Sequence, residues 1–131
     1  MARKYSTALR TAKQAAIEAT IGTAPKFRFY TGSIPADCAT ARSGTLLAEI
    51  TLPSDWASQS GGQTTKVGTW SVNASASGTA GYYSIMDSAG TTCHEQGTVG
   101  TSGTDFIIDN TSINSGQPVT VSGYTITEAG A

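Results

Sequence analysis

Gly68-Thr-Trp-Ser-Val-Asn-Ala-Ser-Ala-Ser-Gly-Thr-Ala-Gly-Tyr-Tyr-Ser-Ile-Met-Asp-Ser-Ala-Gly-Thr-Thr-Cys-His-Glu-Gln-Gly-Thr-Val99 decides how the chain is read. Its side chains alternate. Trp70, Val72, Ala74 and Ala76 share one face against Ser71, Asn73 and Ser75, and Tyr83 and Ile85 alternate with Tyr82, Ser84 and Met86. A period of two marks half-buried strands, so three strands are expected over 68–76, 81–87 and 92–99. Ser88-Ala89-Gly90 supplies a hairpin turn between the last two. The stretch holds Trp70, Cys93 and the single histidine, His94, and reads as the inner sheet of a β scaffold.

Working outward, the same period recurs downstream. Asp105 to Ile108 is a short apolar strand closed by Asp109-Asn110, and Val119 to Thr127 alternates as a last strand after the turn Ser115-Gly116-Gln117-Pro118. Upstream, Lys26-Phe27-Arg28-Phe29-Tyr30 sets cations opposite aromatics. Thr45 to Leu52 places Leu46, Ala48, Ile50 and Leu52 on one face, and Pro53 ends it. Between them, 32–44 has no clear period; Asp55-Trp56-Ala57 suits a helical turn; Ser58 to Thr65 reads as a wet, flexible loop. The first segment differs in kind. Tyr5, Ala8, Leu9, Ala12, Ala15, Ala16 and Ala19 recur at helical spacing, with Arg10, Lys13, Gln14 and Glu18 opposite. Ile17 points away from the alanine stripe towards a second contact. Ser6 is the expected N-cap, and Gly22 with Pro25 the stop.

The implied fold is mainly β, a jelly-roll-like β-sandwich of about seven to eight short strands with an N-terminal α-helix. Residues 1–24 form a helical arm and 25–131 a single β-sandwich domain. Charge divides along the same line. Six cations against Glu18 alone give 1–30 a net +5, while Arg42 and Lys66 against eight carboxylates give the remainder −6. No apolar run reaches the ~20 residues of a membrane-spanning helix, and the N-terminus lacks an apolar signal core, so synthesis in a cytoplasm is expected. Cys38 and Cys93 lack metal-ligand spacing and are expected as buried free thiols rather than a disulfide.

Residues for chemistry are sparse, and the chain reads as a non-enzyme with no cofactor and no metal. Cys93 and His94 are strand neighbours, whose side chains point to opposite faces. Asp105 and Asp109 flank a strand and suit turn amides better than hydrolysis. Gly97 to Gly103 is glycine-rich but lacks the lysine and following helix of a phosphate loop. Nucleic-acid binding is disfavoured, since Phe27 and Phe29 lie opposite Lys26 and Arg28 and the body is acidic.

Taken in order, the motifs resemble a family of small virion proteins of tailed bacteriophages. The resemblance rests on Leu9-Arg10-x-Ala12 in an alanine-rich helix and on Phe27-Arg28-Phe29-Tyr30-Thr31-Gly32-Ser33-x-Pro35. It continues through Gly44 to Pro53, Gly68-Thr-Trp70, Gly78-Thr-Ala-Gly-Tyr-Tyr83, Cys93-His94-x-Gln96-Gly97-x-Val99-Gly100, and Asp109 to Ile113 through Val119 to Ile126. It implies a head-decoration or cement protein, a small jelly-roll on the outer capsid surface that clamps major capsid subunits as a homodimer or homotrimer. The family carries no catalytic residues. Docking on the capsid or a sister subunit is expected through 1–24, with Arg3, Lys4, Arg10, Lys13 and Ile17, and through the loops 32–44 and 54–66. Rival readings are another virion module (tail, collar or fibre-associated) and a receptor- or glycan-binding sandwich with Trp56, Trp70, Tyr82 and Tyr83 as an aromatic platform.

Overall fold

The computed structural model describes residues 3–108, 110–121 and 123–128. The helix α1 spans Thr7–Ile21. Among the described residues eleven strands follow: β1 (Lys26–Thr31), β2 (Leu46–Thr51), β3 (Ala57–Ser60), β4 (Gln63–Lys66), β5 (Trp70–Asn73), β6 (Gly78–Met86), β7 (Cys93–Gly100), β8 (Phe106–Ile107), β9 (Ser112–Ile113), β10 (Pro118–Val121) and β11 (Thr125–Thr127). The main sheet runs β2-β1-β6-β7-β8, antiparallel except for the parallel pair β7–β8, with β9 against the start of β6. Two small sheets, β10-β5 and β11-β4-β3, complete the body. The mainly β reading with one N-terminal helix is therefore borne out. The pairings do not by themselves define a jelly roll.

The sheets share one core. Phe27 and Phe29 of β1, Tyr83 and Ile85 of β6, and Ile50 of β2 face Trp70 of β5, Val121 of β10, and Trp56 and Tyr124 beside the third sheet. Phe27 stacks on Tyr83 with centroids 5.1 Å apart and lies 6.0 Å from Trp70 across the layers. Gly97 faces Tyr83 on β7, and a β-carbon there would lie 2.6 Å from the Tyr83 ring, so only glycine leaves room for the stack.

Several expectations need correction. The 68–99 stretch is not one sheet: β5 pairs with β10, whereas β6 and β7 belong to the main sheet. The strand expected over 119–127 is two strands in different sheets. Ser58 to Thr65 is not a flexible loop but the β3–β4 hairpin, turning at Gly61-Gly62, where both residues have positive φ. Polar composition hid it, because its pairing is carried by backbone groups. Asp55-Trp56-Ala57 is no helical turn; Trp56 is fully buried and Ala57 opens β3. In β2 a register shift opposite Phe29/Tyr30 moves Leu47 into the core and leaves Leu46 across from Tyr30, breaking the strict alternation.

The outer face of the main sheet is covered too. Tyr30 stacks on Tyr82 at 5.0 Å, and the connection 32–44 lies across them. Tyr82 Oη donates to the Ser43 carbonyl at 2.6 Å. Arg42 Nη1 donates to Ser84 Oγ and Gln96 Oε1, and Gln96 Nε2 donates to the Pro35 carbonyl. This loop was expected to be an adhesive extension; it is tied to its own sheet. At the free side of β2, Ser75 N donates to the Leu47 carbonyl at 2.8 Å, which turns the main sheet into β5.

α1 seats on the β3–β4 hairpin with the face the sequence pattern assigns to solvent. Gln14 is 1% exposed; its Oε1 accepts from Thr64 Oγ1 at 2.8 Å and its Nε2 donates to Glu128 at 2.7 Å. Thr11 Oγ1 accepts from Gly62 N, Glu18 accepts from Gln59, and Ile17 and Ile21 reach the core. Gly62 is backbone-strained for other residues, and its β-carbon would meet the Arg10 side chain at 2.5 Å. The N-cap is Ser6 and Gly22 ends the helix, as expected; the Gly22 carbonyl accepts from Trp56 Nε1. We expect Gln14→Ala to cost about 1–3 kcal/mol, because it strands the buried Thr64 hydroxyl. Ala12→Glu, on the opposite side and exposed, should stay within about 0.5 kcal/mol. Urea unfolding of the two variants checks which face packs.

Candidate functional site

With its polar face clamped, α1 presents the other face to solvent. Ala8, Leu9, Ala12, Ala15, Ala16 and Ala19 are all exposed, Leu9 at 46%. Alanines lose little side-chain entropy and keep the surface flat, so another protein can approach this helix closely. Beside the stripe, Ala16, Ile17, Thr20, Ile21 and His94 line a shallow, largely apolar depression of about 270 Å³. Among the described residues, the large apolar side chains left exposed are Leu9 on this face and Ile107 of β8.

The residues expected to dock elsewhere are divided by the fold. Arg3 and Lys4 precede the helix and are exposed. Arg10 is turned to its own body, donating to the Tyr5 and Gly61 carbonyls and to Thr7 Oγ1. Lys13 forms an ion pair with Glu128 at 2.7 Å and lies over the Tyr5 ring. Ile17 makes its second contact with the core of its own chain. Arg10, Lys13 and Ile17 thus hold the helix down, and removing 1–24 would strip Ile17 and Ile21 from the core. The Lys13 ammonium, then Gln14, hold the Glu128 carboxyl below its usual range. That contribution is present above the ordinary glutamate pKa and is lost as pH falls.

The aromatic platform is overturned. Trp56, Trp70 and Tyr82 are 0% exposed and Tyr83 only 6%, so all four serve the packed interior. Phe27 and Phe29 are likewise fully buried opposite Lys26 and Arg28, as expected; Arg28 is paired with Glu49 at 2.6 Å. Asp105 accepts from the Thr98 amide and hydroxyl, the turn role assigned to it, while Asp109 lies outside the described residues. His94 is exposed, and Cys93 turns towards Cys38. Both thiols are free, but half-exposed rather than buried. Among the described residues, no three of His, Cys, Asp and Glu are grouped to hold a metal ion, and no helix is long and apolar enough to cross a membrane.

One ionisable group was missed in the sequence. Glu95 points inward from β7, its two oxygens accepting from Tyr83 Oη at 2.7 Å and Tyr124 Oη at 2.9 Å. Both phenols and Glu95 border an open groove of about 340 Å³ that also reaches Asp105 and Phe106. Burial pushes the Glu95 carboxyl up; the two phenol hydrogen bonds oppose this, and nearby Asp105 adds to it. Burial and the Glu95 charge push both phenols up in turn. The signal was positional: Glu95 falls two residues before Gly97, on the inward phase of β7.

No family model, curated protein or solved structure matches the chain. The functional reading therefore rests on its own residues.

Because the folded state binds the Glu95 proton more tightly than the unfolded chain, that proton favours folding below the ordinary glutamate pKa of ~4.3. The advantage is lost as pH rises through the raised folded value. Glu95→Gln cannot titrate and keeps an oxygen for one phenol. Urea unfolding from about pH 4 to pH 7 should show the native protein losing stability relative to Glu95→Gln as pH rises. Parallel pH profiles would show that Glu95 is not the titrating group.

Proposed function

We propose that this protein is a virion structural protein, a capsid decoration or cement protein that binds the outer surface of a phage head. It stabilises contacts between major capsid subunits, acting as a homodimer or homotrimer, and reaches the capsid surface after synthesis in the host cytoplasm. The observation that carries this reading is the exposed alanine face of α1, held rigidly by a polar face that is fully engaged with its own body. The ordered motifs from Leu9 to Ile126 that resemble the decoration family point the same way.

The physical logic is that of repeated weak contacts. A flat helix face made mainly of alanine buries little area per copy, so a single contact is weak. Oligomers that engage several capsid subunits at once convert later contacts into intramolecular ones, and avidity rises without any single strong bond. The closely tied β body keeps that face fixed. Arg3 and Lys4, at the entry to α1, add positive charge beside it for an acidic capsid patch. The alternative, a tail-, collar- or fibre-associated module, would use the same face in fewer copies.

The test places a charge where the neighbour would lie. Ala12→Arg and Ala16→Arg each put an unpaired guanidinium into the contact without touching Gln14, Thr11 or Ile17. Each should weaken binding to expanded capsids about tenfold or more, a difference of ~1.4 kcal/mol or above, with an unchanged melting temperature. Co-sedimentation with purified capsids measures this; undiminished decoration would sink the reading of the helix face. Quantitative mass spectrometry of virions should give a copy number approaching that of the major capsid protein. A few copies, lost with the tail, would favour the alternative.

A further inference from the structure

We propose that Cys38 and Cys93 are a latent redox pair that closes into an intramolecular disulfide, fastening the 32–44 loop to the main sheet. The two cysteines are 55 positions apart in the chain, on a loop without regular structure and on the first residue of β7. The fold lays the Cys38 segment over β7, where Pro35 and Arg42 both bond Gln96, and brings Cys38 within interaction range of Cys93.

The surroundings hold them there. On one side of Cys38 the Pro35 carbonyl accepts from Gln96 of β7; on the other, Arg42 donates to the same Gln96 and to Ser84 of β6. Asp37 and Thr40, flanking Cys38, are bonded to each other, and their carbonyls both accept from Arg42. The loop segment is therefore fixed over β7 from both ends, with Cys38 between the anchors. Cys93 Sγ lies 3.4 Å from the Glu95 carbonyl, its accepting partner in the reduced state. Both residues are half-exposed, so a small oxidant reaches them without unfolding.

The step balances with a low-molecular-weight disulfide, such as oxidised glutathione, as oxidant. One cysteine attacks as its thiolate, releasing one external thiol and leaving a mixed disulfide. The second cysteine then displaces the other external thiol and forms the Cys38–Cys93 bond. Two protein thiols and one external disulfide become one protein disulfide and two external thiols. Burial, then the neighbouring Cys93, push the Cys38 thiol up to about 12, which lowers its share of the reactive thiolate. In a reducing cytoplasm the pair stays open; outside it, the pair closes. The proposal stands independently of the virion reading.

The test uses the full-length chain, incubated in native buffer with oxidised glutathione and compared with a reduced sample. We expect a monomer lighter by the mass of two hydrogens, thiols falling from two to none, and a non-reducing digest that links the Cys38 and Cys93 peptides. Cross-linking a long loop should raise the thermal midpoint by roughly 10 °C. Cys38→Ser and Cys93→Ser should show neither the cross-link nor the rise. Persistent glutathione adducts, disulfide-linked dimers or two unreacted thiols would overturn the proposal. Complete closure with an unchanged midpoint would overturn the fastening role.

Discussion

The structure depends on Phe27. Its ring touches Phe29 on the same strand, Tyr83 on β6, Phe106 on β8 and Trp70 in the second layer, with centroid separations between 5.1 and 6.0 Å. Trp70 hands the contact on to Tyr124 and Trp56, and Trp56 hydrogen-bonds the end of α1. Nine of the ten aromatic side chains are buried, and large rings bury the most apolar area per residue. A protein so rich in Ser, Thr and Gly needs this column, because its aliphatic side chains alone are too few.

The polar interactions are organised around that column. Glu95 lies inward because Tyr83 and Tyr124, both packed in the column, offer it hydroxyl donors. Gln14 lies inward because Thr64 and Glu128 satisfy both ends of its amide. In each case a polar side chain is buried only where its hydrogen bonds are complete, as burial demands. The candidate docking face of α1 is the complement of this arrangement: once the helix is fixed by Gln14, Thr11 and the two isoleucines, the alanines are what remain.

The parts of the fold that follow side-chain period were legible in the sequence. β1, β6 and β7, the β6–β7 turn, the helix and both of its caps were readable from alternation, spacing and capping chemistry. The parts set by backbone pairing were not. The β3–β4 hairpin carries Gln, Thr, Ser and Gly, whose hydrophobicity says nothing about pairing. The helix orientation was misread for a related reason. Alanine counts as apolar, yet burying its single methyl gains little, whereas Gln14 gains two hydrogen bonds and Ile17 and Ile21 bury far more area. The spacing of Arg10, Gln14, Ile17 and Ile21 on one side, with the two large aliphatics four apart, was the better guide. For the candidate site, Arg3 and Lys4 remained at the surface, but Arg10, Lys13 and Ile17 were drawn into the body by partners remote in sequence.

The short bond from Ser75 to Leu47 has a consequence for the protein in bulk. A flat sheet ends in a row of unsatisfied amides and carbonyls that can recruit the next molecule's strand and start fibrous growth. Here the chain itself folds around the β2 end and occupies Leu47, while the opposite end is a two-residue strand, too brief to act as a template. The main sheet thus offers copies of the molecule little edge on which to polymerise. Crowding at high local concentration is left to act through side-chain surfaces, where association can remain specific and reversible.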